Sequence, residues 1–147
     1  MKKKTSPMKR IWAILLITLV AVYMAYCIRL GGEIQQLVYH IHEGPADPQA
    51  FSGIIPDEAD YRVINCHLHF GDEVPEQYTL QVSFPMAYAL PGRAKARYVV
   101  SYQGHGTTET GVSELPVIVE MVWDNGWQID RVTAIESPEQ AYEVTFP

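Results

Sequence analysis

The chain has 147 residues, of which 48% are hydrophobic and 19% charged, and its formal net charge is -6 at pH 7. Five of the eleven basic residues fall in the first ten positions, so the remainder holds six basic against seventeen acidic residues. This acidic balance argues against nucleic-acid binding, because phosphates require a basic face. Two cysteines argue against a disulfide scaffold, so a packed core must supply the stability.

The first element is an uncharged apolar run over residues 11–28, IWAILLITLVAVYMAYCI. As a helix it spans about 27 Å, close to the thickness of a bilayer's hydrocarbon core. The basic tail, residues 1–10, precedes it, and basic residues flank the cytoplasmic end of a membrane helix. The pattern predicts a single-pass signal anchor in the cell membrane, with the N-terminus cytoplasmic and residues 29–147 extracytoplasmic.

A cleaved secretory signal is the competing interpretation, since it also begins with a basic region and an apolar stretch. Cleavage requires small residues at the first and third positions before the cut. The best fit is Ala25-Tyr26-Cys27, which is a poor one. An uncleaved anchor is therefore favoured.

Residues 29–60 are predicted to form a juxtamembrane helix and a loop. Gly31-Gly32 indicates a flexible joint or a local break. The segment EIQQLVYHIH then has helical spacing of its apolar positions, which predicts a separate short amphipathic helix. Residues 44–60 contain three prolines and two glycines, which is typical of a loop.

Residues 61–147 are predicted to form an extracytoplasmic antiparallel β domain. Apolar and polar residues alternate over 61–70 and again over 77–84, which predicts two half-buried strands. Residues 85–95 contain two prolines and a glycine and are interpreted as a connection. A third strand is expected at about residues 96–103.

The last two strands flank the turn Asp124-Asn125-Gly126 and form a hairpin over about residues 116–135. A two-residue loop would pair Asp124 with Trp127. A three-residue loop with a left-handed Gly126 is preferred, because it matches apolar residues twice. Its pairs are Trp123 with Trp127, Met121 with Ile129 and Val119 with Arg131. A turn and a short edge strand, Tyr142 to Phe146, are expected to follow.

The predicted fold class is α+β, with the amphipathic helix packed on a curved antiparallel sheet of about five strands. No alternating strand and helix units occur that would build a parallel sheet. The element order, and the hairpin VIVEMVWDNGWQIDRV with a tryptophan just after its turn, resemble cystatin-like and nuclear-transport-factor-like rolls. The resemblance implies a fold and no particular activity.

A metal site is suggested by NCHLHFGDE, because His67 and His69 lie on the same face of the predicted strand, about 7 Å apart. His105, in the loop GHGTTETG, is a candidate third ligand, with Asp72 or Glu73. The spacing is similar to the His-x-His of cupins, but the glycines that surround it in that family are missing. A small metal-binding module or metal-dependent enzyme is therefore the alternative function.

The preferred function is a non-enzymatic, membrane-anchored interaction domain, a subunit or assembly factor of an envelope complex. No catalytic set and no cofactor is predicted, and the expected partners are the membrane and a protein or a second copy of the chain. Trp123 and Trp127 form the candidate interaction surface. A cross-strand aromatic pair also stabilises a hairpin, so both interpretations of this pair stay open.

Overall fold

The computed structural model describes residues 7–44, 47–65, 77–105 and 111–135. Side chains are described throughout these ranges except at residues 77–78, 102–105 and 111–114. The described chain contains two α-helices, one short 3-10 helix and a five-stranded antiparallel sheet. The predicted α+β class is confirmed.

Helix α1, Pro7–Glu43, is continuous for 37 residues. The predicted break at Gly31-Gly32 and the separate short helix are therefore wrong. Gly31 is a packing contact, because a Cβ built on it would lie 2.4 Å from the carbonyl oxygen of Pro85. The glycine lets the helix backbone approach the sheet and does not interrupt the helix.

The two halves of α1 have different surroundings. Residues 7–26, the exposed half, have no buried residue, whereas residues 27–43, the packed half, bury one face. The buried positions have helical spacing and are Cys27, Leu30, Gly31, Ile34, Val38 and Ile41. By length and composition α1 is able to cross a membrane, and a signal sequence would share both properties.

Two short helical segments follow α1. The predicted loop contains a 3-10 helix, Pro48–Phe51, and helix α2, Glu58–Ile64, replaces the start of the predicted strand over residues 61–70. Asp57 caps α2 by accepting a hydrogen bond from the Ala59 N–H. Tyr61 and Ile64 are both buried. They are three residues apart, so burial follows the period of a helix and not the alternation of a strand. The remainder of that predicted strand, from Cys66, lies outside the described residues.

The sheet consists of β1 (Gln77–Val82), β2 (Met86–Leu90), β3 (Arg93–His105), β4 (Gly111–Trp123) and β5 (Trp127–Ala134). Strands β1 and β2 both pair with β3 and follow each other along the same edge, and the remaining order is β3-β4-β5. The interruption between them contains Pro85, which an edge strand tolerates at an irregularity.

Strand β2 contradicts the interpretation of residues 85–95 as a connection. Pro85 lies in the interruption and Pro91-Gly92 forms the turn to β3, with Gly92 at φ 77°. The residues that suggested a loop therefore flank a five-residue strand. Strand β3 is correspondingly longer than predicted.

The three-residue loop of the β4–β5 hairpin is confirmed, with Trp123 opposite Trp127 and Met121 opposite Ile129. The predicted pairing of Val119 with Arg131 is wrong, because a bulge between Glu120 and Met121 shifts the register by one residue. Val119 pairs with Val132 instead. Asn125, at φ 55°, is the left-handed residue, and Gly126 has φ 154°.

The core lies on one face of the sheet, here called the inner face. On β3 it carries the buried residues Ala94, Ala96, Tyr98 and Val100. The packed half of α1 lies against β1 and β2, and α2 lies against β5. The predicted edge strand Tyr142 to Phe146 is outside the described residues.

Candidate functional site

An open groove of about 460 Å³ lies between the packed half of α1 and the β4–β5 hairpin. Its helical wall consists of Tyr26, Arg29, Leu30, Glu33, Ile34 and Leu37. Each of these residues has a partner three or four positions away, so together they form one stripe that is about 16 Å long. The wall begins inside the apolar run and continues into the packed half.

The opposite wall comes from the sheet and from the loop before α2. Its apolar side chains are Ile54, Met121, Trp123, Trp127 and Ile129. Met121 and Ile129 are buried, whereas Ile54 is 43% and Trp123 57% exposed. Large apolar side chains with this exposure next to a concave surface are typical of a binding site.

A hydrogen bond joins the two walls. The indole N–H of Trp127 donates to the hydroxyl oxygen of Tyr26 over 2.9 Å. Trp127 also packs edge to face against Trp123, with ring centroids 5.3 Å apart. The predicted aromatic pair therefore exists, and it lies against α1.

The charged residues of the helical wall form an ion pair with each other. Arg29 Nε and Glu33 Oε1 are 2.9 Å apart, and both side chains are largely exposed. An exposed pair of this kind contributes little to stability, about 0.3 to 0.5 kcal/mol. It leaves the groove apolar inside, with opposite charges at its rim.

A buried hydrogen bond joins α2 to β5, the strand that contributes Trp127 and Ile129 to the groove. The buried Asp60 carboxylate accepts a hydrogen bond of 2.8 Å from the Val132 N–H. Burial raises the pKa of Asp60, and the hydrogen bond from Val132 opposes that effect. The contact holds α2 on β5 and has a structural role.

The predicted metal ligands are not brought together in the described part of the chain. His67 and His69 lie outside it, and His105 ends β3 with a side chain that is not described. Within the described residues no cluster of three or more His, Cys, Asp or Glu side chains is suited to a metal ion. The three-histidine site therefore stays a prediction.

Sequence reasoning identified the two tryptophans but missed Ile54 and the helical wall. The signal for that wall was present in the sequence, because Tyr26, Leu30 and Leu37 have helical spacing. Interpreting Gly31-Gly32 as a break divided this stripe in two. The contact of Tyr26 with Trp127 joins positions 101 residues apart, and no local pattern indicates it.

Comparison of the chain with protein-family models, with curated proteins and with solved structures finds no match. The fold and the groove define a small α+β domain that continues directly from a helix able to cross a membrane, with an apolar groove where the two meet. Such a groove is suited to binding apolar side chains.

Proposed function

We propose that the chain is a single-pass protein of the cell membrane whose extracytoplasmic domain binds a partner protein in an envelope complex, as a subunit or assembly factor. The observation that carries this proposal is the groove, which begins at the last residues of the apolar run and follows α1 away from it. A partner anchored in the same membrane would meet this groove first.

An uncleaved anchor is supported by the continuity of α1. The helix passes from the apolar run into the core without a break, and Cys27 and Leu30 are already buried. A cut near Cys27 would separate Tyr26 from Trp127 and remove the start of the groove wall. The basic tail favours a cytoplasmic N-terminus, which makes the sheet extracytoplasmic.

The shape of the groove favours a helical occupant. One wall is a helix face that is about three turns long, and the occupant's apolar side chains would lie between that face and Trp123. Amphipathic helices bind apolar grooves in this way, with anchors at i, i+3, i+4 and i+7. The juxtamembrane helix of a partner, or α1 of a second copy, has the required chemistry and position.

The proposal includes a cystatin-like or nuclear-transport-factor-like roll as the fold of the domain. In support, a single long helix and a short one lie on the inner face of an antiparallel sheet that ends in a tryptophan-containing hairpin. A cystatin-like roll presents such a sheet as a curved surface, which is suited to binding another chain.

Photocrosslinking in native membranes tests the proposal. Benzoylphenylalanine replaces Ile54, at the groove, or Met86, which is 81% exposed on the edge strand β2 and points away from the inner face. We expect an adduct from position 54 and none from position 86. An adduct of twice 16.6 kDa would identify a second copy as the partner.

A second pair of variants ties the adduct to the groove. Trp123→Glu places a charge at the exposed rim, whereas Met86→Glu places the same charge on the edge strand. We expect Trp123→Glu to abolish the adduct from position 54 and Met86→Glu to leave it unchanged. Equal adducts from both labelled positions, or none from position 54, would contradict the proposal.

A further inference from the structure

Two hairpin turns lie at the same end of the sheet. The turn Pro91-Gly92 joins β2 to β3, and residues 124–126 join β4 to β5. The pairing of Arg93 with Val122 places both turns together, and the Trp123 N–H donates to the Gly92 carbonyl oxygen over 3.0 Å. With Tyr23 and Tyr26 these turns border a shallow depression of about 600 Å³.

This end of the sheet lies beside the last turns of the apolar run. Tyr26, whose hydroxyl oxygen accepts the hydrogen bond from the Trp127 indole, precedes the end of that run by two residues. Helical side chains point back toward the N-terminus, so the Tyr26 hydroxyl lies no farther from the bilayer than its own backbone. If residues 11–28 cross the bilayer, the contact therefore places the hairpin turns at the boundary between the hydrocarbon core and the headgroup layer.

The exposed side chains at this end match that layer chemically. Trp123 is 57%, Leu90 53% and both tyrosines 42% exposed, although each is large and mainly apolar. Tryptophan and tyrosine are enriched at membrane interfaces, because their rings are apolar at one end and polar at the other.

The charged side chains at this end are also compatible with a headgroup layer. Arg93 is exposed directly after the turn Pro91-Gly92, where it is able to reach lipid phosphates, and Arg29 lies one turn beyond Tyr26 on α1. Asp124 is the acidic residue of the neighbouring turn and is exposed to water or headgroups.

We propose that this end of the sheet docks on the headgroup layer of the membrane that α1 spans, with Leu90 and the part of Trp123 that lies outside the groove inserted among the lipids. This inference rests on the anchor of the proposed function but not on its protein partner. A lipid surface is favoured over a protein because the Tyr26–Trp127 contact fixes the depth of the two turns. The domain then has one orientation, and its groove opens at the membrane surface.

Fluorescence quenching by brominated lipids tests the docking. The full chain with Trp12→Phe retains Trp123 and Trp127 and is reconstituted alone in phosphatidylcholine vesicles. We expect loss of tryptophan emission with brominated lipids, and a larger loss when the bromine is near the headgroup than when it is near the chain end. Emission that is quenched by acrylamide and not by either lipid would overturn the proposal.

A matched control adds a tryptophan at the opposite end of the sheet. Thr79 is exposed on β1 and pairs with Gln103, far along β3 from the two turns. In Trp12→Phe/Thr79→Trp the added emission should resist brominated lipids and respond to acrylamide. Circular dichroism and a melting curve verify that both variants fold.

The remaining outcomes separate the docking from the proposed function. Release of the chain by alkaline carbonate would show that α1 is no anchor, and both proposals would fail. Retention in the membrane without lipid quenching would overturn the docking alone. Shielding from lipid and acrylamide together would place the turns against a second copy, which also overturns it.

Discussion

The two halves of α1 differ in what surrounds them, although they form one helix. From Ile11 onward the exposed half is apolar on every side, and it has no buried residue, whereas the packed half buries a single face against the sheet. A helix that is apolar all round requires an apolar surrounding, and an amphipathic helix requires one apolar neighbour. The difference predicts two environments for one rigid element, a bilayer and a protein core.

The largest expected effect comes from placing the same charge in each half. Val20 and Val38 are 18 residues apart, about five turns, so they lie on the same side of α1. Val38 is 1% exposed, and Val38→Asp buries an unpaired carboxylate, which we expect to cost about 3 to 5 kcal/mol and to unfold the sheet. Circular dichroism and limited proteolysis of membrane-bound protein measure the loss.

Val20→Asp is the matched variant in the exposed half, where Val20 is 53% exposed. A carboxylate near the centre of a membrane helix costs about 2.5 to 3.5 kcal/mol of insertion free energy. We therefore expect less membrane-integrated protein and a folded sheet. A sheet unfolded by Val20→Asp, or left intact by Val38→Asp, would contradict the two different environments of α1.

The next effect comes from the two adjacent glycines in the packed half. Gly31→Ala places a methyl group 2.4 Å from the Pro85 carbonyl oxygen, so the helix must move from the sheet edge. We expect a loss of about 1 to 3 kcal/mol of unfolding free energy. Chemical denaturation of the full chain in detergent measures it.

Gly32→Ala is the control, since a Cβ there meets nothing within 4 Å. Alanine is a better helix former than glycine, so we expect a gain of up to about 1 kcal/mol. If both substitutions destabilise the chain equally, then Gly31-Gly32 is a joint and the two halves of α1 are separate units.

An effect of similar size concerns α2, which shares the inner face with α1. Asp60→Ala leaves the Val132 N–H without its acceptor, and we expect a loss of about 1 to 3 kcal/mol. Asp60→Asn retains an acceptor oxygen without a buried charge, so its stability at neutral pH should equal or exceed that of the wild type. Denaturation of the three proteins gives the ranking.

The contribution of Asp60 to the free energy of unfolding depends on pH, and the sign of that dependence follows from its pKa. Because burial raises the pKa of Asp60 in the folded state, this carboxyl favours folding most when it is protonated. Its contribution is complete below the ordinary pKa of an aspartate and is lost as the pH rises through the raised value. The stability of the wild type relative to Asp60→Asn should fall over that window, and a rise would refute the assignment.

The parts of the fold that were predictable depend on short stretches of chain. The helix over the apolar run and the Trp123–Trp127 hairpin were predicted correctly, because composition and turn chemistry decide both within about twenty residues. The pairing of Val119, which lies farther from the turn than the bulge, was not predicted correctly. The bulge that shifts the register has no signal in the local sequence. The α2 residues alternate in hydrophobicity and still fold as a helix, because the Asp57 cap and contacts with β5 decide their conformation.

The candidate site was predictable only in its two tryptophans. The groove requires Tyr26, Ile54 and Trp127 to meet, and their positions in the chain are far apart. The sequence indicates a joint or break at Gly31 and a connection at Pro85, whereas in the structure the Gly31 backbone packs against the Pro85 carbonyl oxygen. Long-range packing of this kind is not contained in the period of any one segment.

The unbroken course of α1 has a mechanical consequence. With no hinge between its halves, a tilt of the exposed half in a bilayer turns the sheet through the same angle. Helices adjust their tilt to the local thickness of the membrane, so a thinner or thicker bilayer would rotate the groove relative to its neighbours. If residues 11–28 lie in a bilayer, the angle between the sheet and the membrane would therefore change with the thickness of the lipid around α1.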